Sequence, residues 1–196
     1  EMTFPHWLGK AYGDDDFIDV IFSSGNGVAV VDDEWFEHSV EAEVLGLPLR
    51  LCPAEEIIWS KAFIDERERY DGADVAHLLR ARGPELDWDR LMRRFNDRWR
   101  VLLSHLVLFG FIYPGERDRI PRHVMLELLG RLERDLNEEP SQERVCQGTL
   151  ISREQYLVDV HQWGYRDGRL APDVRMTPND IVHWTNAIQR GRADHP

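Results

Sequence analysis

Over the first fifty or so residues, short apolar or alternating runs are broken by glycine and aspartate clusters; from Pro53 onward apolar residues recur at helical spacing. Trp7–Tyr12 and Phe17–Ser23 are two such runs. Gly13-Asp14-Asp15-Asp16 lies between them and favours a tight turn, so a hairpin is predicted. Ser24-Gly25-Asn26-Gly27 ends the second strand as a turn, and Val28–Val31 reads as a further short strand. Glu34–Val40 is ambiguous, with one helical turn as its best reading. Glu41–Leu45 and Pro48–Leu51, joined through Gly46-Leu47, predict a second hairpin.

Pro53 suits the first turn of a helix. On that helix, positions 54, 57, 58, 61, 62 and 65 share one face, which puts Lys61 on an otherwise apolar stripe. Asp71 and Asp74 form a capping-box-like pair at the start of the next helix, which Gly83-Pro84 ends. Asp87 opens one long helix whose apolar residues run from Trp88 to Val107. Pro121 starts another, with Val124, Met125, Leu128, Leu129, Leu132 and Leu136 on one face. Asn137–Gln142 is the most linker-like stretch. Ser152 with Gln155 predicts a cap for a helix over Arg153–Trp163, and Thr177-Pro178-Asn179-Asp180 starts a final helix that Gly191 ends. The expected fold is α+β: a small mixed or antiparallel sheet followed by a mostly helical half. Three regions are expected: an α/β core over 1–83, a packed helical region over 84–137 and a helical extension over 138–196.

Composition narrows the classes of function. A formal charge of −12 and a pI near 5.1 argue against non-specific binding to nucleic acid or an anionic membrane. Two cysteines make no disulfide scaffold, and no Cys/His spacing suggests zinc. No stretch approaches the ~20 apolar residues of a membrane span, and no signal peptide is evident, so a cytoplasmic setting is expected. His77, His105, His161 and His183 stand singly in helical patterns and read as surface or satisfied core histidines. Arg90, Arg94 and Arg98 read as a solvated helix face rather than a phosphate track, with Asp87, Asp89 and Asp97 interleaved. The tryptophans sit mostly in apolar patterns and read as core.

Asp19 is an acid inside the apolar run Phe17-Ile18-Asp19-Val20-Ile21-Phe22. It reads equally as a solvent-facing residue and as a carboxylate held on a rigid strand for a divalent metal. Lys61 reads as a snorkelling lysine or as a cation for a triphosphate. Asp71 and Asp74 read as helix caps or as site residues, and Arg67 and Arg69 as their charge partners or as phosphate contacts.

Together these segments resemble the nucleotidyltransferase superfamily with a polymerase-beta-like core. They are FIDVIF, the hairpin EAEVLGLPLRL, the proline-led helix PAEEIIWSKAFI and the arginine-rich turn into RERYDGADVAHLL. The likeness spans roughly Trp7 to Trp88 and is closest to small bacterial members, toxin-type ones included. It implies metal-dependent transfer of a nucleoside monophosphate from an NTP to an acceptor, with Mg²⁺ as cofactor. Asp19 matches the third metal carboxylate, Lys61 the lysine of the helix after the sheet, and Asp71 and Asp74 the acidic positions of the next helix. On this reading Lys61, Arg67 and Arg69 contact the nucleotide, and Asp71 and Asp74 support the site. The acceptor is open, nucleic acid entering only as an acceptor, and so is the oligomeric state. The family's Gly-Gly turn and Asp-x-Asp pair have no counterpart here, Asp14 and Asp16 lacking the turn and helix before them. A chain that is truncated, or whose family lost the element, is therefore expected, and a non-catalytic binding or regulatory module of the same family is the alternative.

Overall fold

A computed structural model describes residues 1–193. In chain order the elements are β1 (Met2–Phe4), β2 (Leu8–Tyr12), β3 (Phe17–Ile21), α1 (Asp33–Glu37), β4 (Val40–Val44), β5 (Leu47–Leu51), α2 (Ala54–Lys61), α3 (Gly72–Arg82), α4 (Trp88–Phe95), α5 (Trp99–Ile112), α6 (Arg122–Asn137), β6 (Val145–Cys146), α7 (Leu157–His161), β7 (Arg166–Asp167) and α8 (Pro178–Ala193). The fold is α+β, with a small antiparallel sheet at the N-terminus and a mostly helical remainder. The chain divides into two compact units. One takes in Glu1–Asp32, Glu66–Glu68 and the chain from Arg144 onward; the other takes in Asp33–Asp65 and Arg69–Glu143.

The first unit carries the three-stranded sheet in the order β1-β2-β3. β2 and β3 pair antiparallel with Leu8 opposite Ile21, Lys10 opposite Asp19 and Tyr12 opposite Phe17. The expected strand over Val28–Val31 is absent; Val28 and Ala29 are buried without joining a ladder. The Gly25–Gly27 stretch is a turn, where Asn26 Oδ1 accepts from Ser24 Oγ (2.6 Å) and Val28 N (3.1 Å). A short parallel pair, β6 with β7, brings Asp167 beside Arg169, whose side chain is buried and held by Asp167 and Thr185. The α8 cap forms as its sequence predicts: Asp180 N donates to Thr177 Oγ1 (3.2 Å) and Thr177 N donates to Asp180 Oδ2 (2.9 Å). α8 continues past Gly191 to Ala193. Ser152 Oγ accepts from Gln155 N (3.3 Å), yet the helix there is only Leu157–His161. Trp163 is exposed rather than core.

The second unit is helical apart from the β4–β5 hairpin. Its turn is Leu45-Gly46, both at positive φ (54° and 80°), one residue earlier than predicted. α2 packs on α3 and α4, and α5 on α3, α4 and α6. Ile58, Val75, Leu79, Leu91, Phe95, Leu102, Leu106, Phe109, Val124 and Leu128 fill the core, with Phe63 and Phe95 rings stacked 5.7 Å apart. The single long helix expected after Asp87 is two helices. Asn96 takes φ 41°, which no α-helical residue holds, and a short 3-10 turn separates α4 from α5. The apolar spacing carries across this break, so periodicity alone does not reveal it. Asp87 does cap α4, its Oδ1 accepting from Arg90 N at 2.9 Å. In α6 only the first part of the expected stripe is buried, through Val124 and Leu128, while Leu129 and Leu136 are exposed.

Candidate functional site

α2 is rotated relative to its predicted orientation. Glu55, Glu56, Ile58 and Trp59 face inward, followed by Ala62 and Phe63, whereas Ile57 and Lys61 are half-exposed and Asp65 is exposed. Lys61 therefore stands at the edge of the buried face, at the C-terminal end of α2, where a cation also complements the helix dipole. The backbone then doubles back: Ile64 O accepts from Asp71 N (3.0 Å), and Asp65 and Tyr70 form an antiparallel bridge. A side chain at Gly72, at the start of α3, would displace the exposed Tyr70 ring.

This turn brings Lys61, Arg69, Asp71 and Asp74 together. Lys61 Nζ donates to Asp71 Oδ2 (2.9 Å) and to Asp74 Oδ2 (2.7 Å). Arg69 donates from Nε to Asp71 Oδ1 and from Nη2 to Asp71 Oδ2, both at 2.9 Å, a two-pronged grip. Asp71 is buried, while the other members are partly or mostly exposed. Burial opposes the Asp71 charge, but hydrogen bonds from Arg69 and Lys61 and their charges outweigh it and hold the carboxyl below its ordinary range. For Lys61, burial likewise opposes the charge, and the hydrogen bonds it donates to Asp74 and Asp71, with their charges, hold the ammonium above its ordinary value. The expected capping role of Asp71 is overturned: it sits at the N-cap position but its side chain makes no bond to the helix amides. The carboxylate is committed to two cations instead.

Asp19 and Arg67 fall in the first unit. Asp19 is half-exposed, with Lys10 Nζ 3.4 Å away on the neighbouring strand. Lys10 also lies over the Phe17 ring at 3.5 Å. Arg67 is exposed. Among the described residues no group of three or more His, Cys, Asp or Glu is placed to hold a metal ion. Mg²⁺ requires several oxygen ligands in near-octahedral order. Asp19, with Lys10 Nζ 3.4 Å away, supplies one such oxygen ligand group and not the set.

A second charged cluster escaped the sequence reading. Arg90 and Arg94, expected on a solvated face, point into the α2–α4 contact. Arg90 Nη2 meets Glu55 Oε2 at 2.7 Å, and Arg90 Nη1 donates to Glu56 Oε1 at 3.4 Å. Arg94 Nε donates to the same Glu56 oxygen (3.2 Å), its Nη2 meets Glu34 Oε2 (3.2 Å), and its guanidinium lies over the Trp59 ring. Glu55 Oε1 accepts from Asp87 N at 2.7 Å. Glu56 is fully buried, and its Oε2 has no hydrogen-bond partner among the described residues. The available signal was the adjacent pair Glu55-Glu56 in the first turn of α2 and two arginines four apart on α4. Every ion in the contact faces a counter-ion, as an interior ion pair requires; it ties α2 to α4.

His105 is a satisfied core histidine, as expected, its Nε2 2.9 Å from Ala62 O. Among the described residues no helix is long and apolar enough to cross a membrane. Comparison with family models, curated proteins and solved structures finds no match to this chain.

Proposed function

We propose that the chain is a nucleotidyltransferase-family protein that binds an NTP through Lys61 and Arg69 and transfers its nucleoside monophosphate to an acceptor. One observation carries the reading: Lys61 and Arg69, ten and two residues from Asp71 along the chain, both converge on its buried carboxylate. That carboxylate holds two cations in fixed positions, with partly exposed heads that a polyphosphate can reach. Asp74 supports Lys61 from the outer side. Asp19 is the proposed metal carboxylate and Mg²⁺ the implied cofactor; both rest on the sequence resemblance. The second reading, a module of the same family that binds without transferring, is favoured by the pairing of Asp19 with Lys10 and by the lack of a metal-holding group among the described residues.

Titration calorimetry with each of the four NTPs, with and without Mg²⁺, tests the proposal on the wild type, Lys61→Met and Asp19→Ala. Saturable binding that weakens about tenfold or more in Lys61→Met is expected, since a charged hydrogen bond is worth about 1.5–3 kcal/mol. Equal binding by wild type and Lys61→Met, with both folded by circular dichroism, would remove Lys61 from the site. Mg²⁺-dependent binding lost in Asp19→Ala favours transfer, whereas metal-independent binding indifferent to Asp19 favours the non-transferring module.

A further inference from the structure

The β4–β5 hairpin alternates strictly. Val40 is opposite Leu51, Ala42 opposite Leu49 and Val44 opposite Leu47; between them Glu41 is opposite Arg50 and Glu43 opposite Pro48. One face is therefore wholly aliphatic and the other charged. On the aliphatic face Val40, Val44, Leu47, Leu49 and Leu51 are 38% to 60% exposed. Leu45 at the tip is 98% exposed and held at positive φ. A two-stranded ribbon is marginal in water, and a third strand is what makes such a ribbon stable.

Backbone chemistry selects the edge. A two-residue turn makes Val44 and Leu47 a hydrogen-bonded pair, and such pairs alternate along the ladder. The N–H and C=O groups of Glu41 and Glu43 thus point away from β5, along the outer edge of β4. On the opposite edge the outward positions are Pro48 and Arg50, and Pro48 has no N–H to offer, which blunts that edge against pairing. Charge selects the occupant. Glu41 is 84% exposed, with Arg50 at 3.9 Å its one ion-pair partner among the described residues, and Glu43 is exposed and faces Pro48. Antiparallel pairing of two β4 strands about a two-fold axis opposes Glu41 or Glu43 to another glutamate, so a second copy is the wrong partner.

We propose that the outer edge of β4 is a docking site for an extended segment of a partner protein in which aliphatic residues alternate with lysine or arginine. The segment adds as a strand, its cations meeting Glu41 and Glu43 and its aliphatic residues extending the Val40–Ala42–Val44 face. This site is independent of the proposed nucleotide site.

The test uses a fluorescently labelled peptide of alternating valine and lysine, about ten residues long to match a strand. Its binding is followed by anisotropy beside a valine–glutamate alternation and a block-scrambled valine–lysine control. Saturable, salt-sensitive binding of the first alone is expected. Glu43→Pro removes one outward N–H and should weaken binding about tenfold. The double variant Glu41→Lys with Glu43→Lys should transfer the preference to the valine–glutamate peptide, a gain that misfolding cannot imitate. Absence of saturable binding, equal binding of the scrambled control, or an unchanged preference in the charge-reversed variant overturns the proposal. Dimerisation of the wild-type chain that Glu43→Pro abolishes would overturn it in favour of a second copy.

Discussion

Two parts of the helical unit invert the usual placement of side chains. Along β4–β5 the aliphatic residues face water, while in the α2–α4 contact Glu55, Glu56 and Arg90 are buried. Each inversion has the same cause: burial follows the available partner rather than the polarity of the residue. Glu56 and Arg90 are interior because each supplies the other's counter-charge, and a buried ion is tolerable only when paired. Leu47 and Leu49 are outside because no described element covers them.

Breaking the buried cluster should have the largest effect. Arg90→Met leaves Glu55 without its 2.7 Å partner and removes one of the two arginines on Glu56, and should destabilise the protein by about 3–5 kcal/mol in urea unfolding. A loss under about 1 kcal/mol, the scale of a surface pair, would mean the cluster behaves as solvated.

A smaller effect comes from His105 at the same helical core. Burial lowers its affinity for a proton, against the Ala62 carbonyl and the Asp65 charge, so its folded value lies below the ordinary 6.5. A depressed folded value means that the unfolded chain binds the proton more readily. The contribution of this histidine is complete above about pH 6.5 and is lost as pH falls through the folded value. Urea midpoints measured from pH 8 down to pH 5 should fall across that window. His105→Gln, which keeps a donor for Ala62 but does not titrate, should flatten the fall.

Least affected should be the hairpin itself. Leu49→Ser changes stability by no more than about 0.5 kcal/mol if the side chain is solvated in the folded state. A loss of 2 kcal/mol or more, roughly the cost of a core truncation, would show that the face is covered in the chain alone, by a second copy.

The elements were legible where local chemistry decides them. Asp87, Pro121 and the Thr177–Asp180 box mark helix starts, and the two β hairpins are found within a residue or two of their predicted bounds. Of the candidate residues, Lys61, Asp71 and Asp74 are legible as charges at the end of one helix and the start of the next, and the turn between those helices pairs them. The reason offered for Lys61 was misplaced, since the inward face of α2 runs through Glu55 and Trp59, not through position 61. Two glutamates in a row look like a solvated, dipole-complementing first turn until the arginines of α4 are brought against them.

What the sequence determined alone is short-range: the i, i+4 spacing of apolar residues, the caps, and the glycine turn that closes β4 on β5. Tertiary structure decided how charges are spent. Asp71 holds Lys61 and Arg69 rather than its own helix amides, because a bidentate charged bond outweighs a cap. Glu56 meets Arg90 across 34 residues of chain, and no local pattern encodes that distance. The physical difference is one of range: a turn or cap is complete within a few residues, whereas a buried ion has no stable place until a remote element supplies its counter-charge.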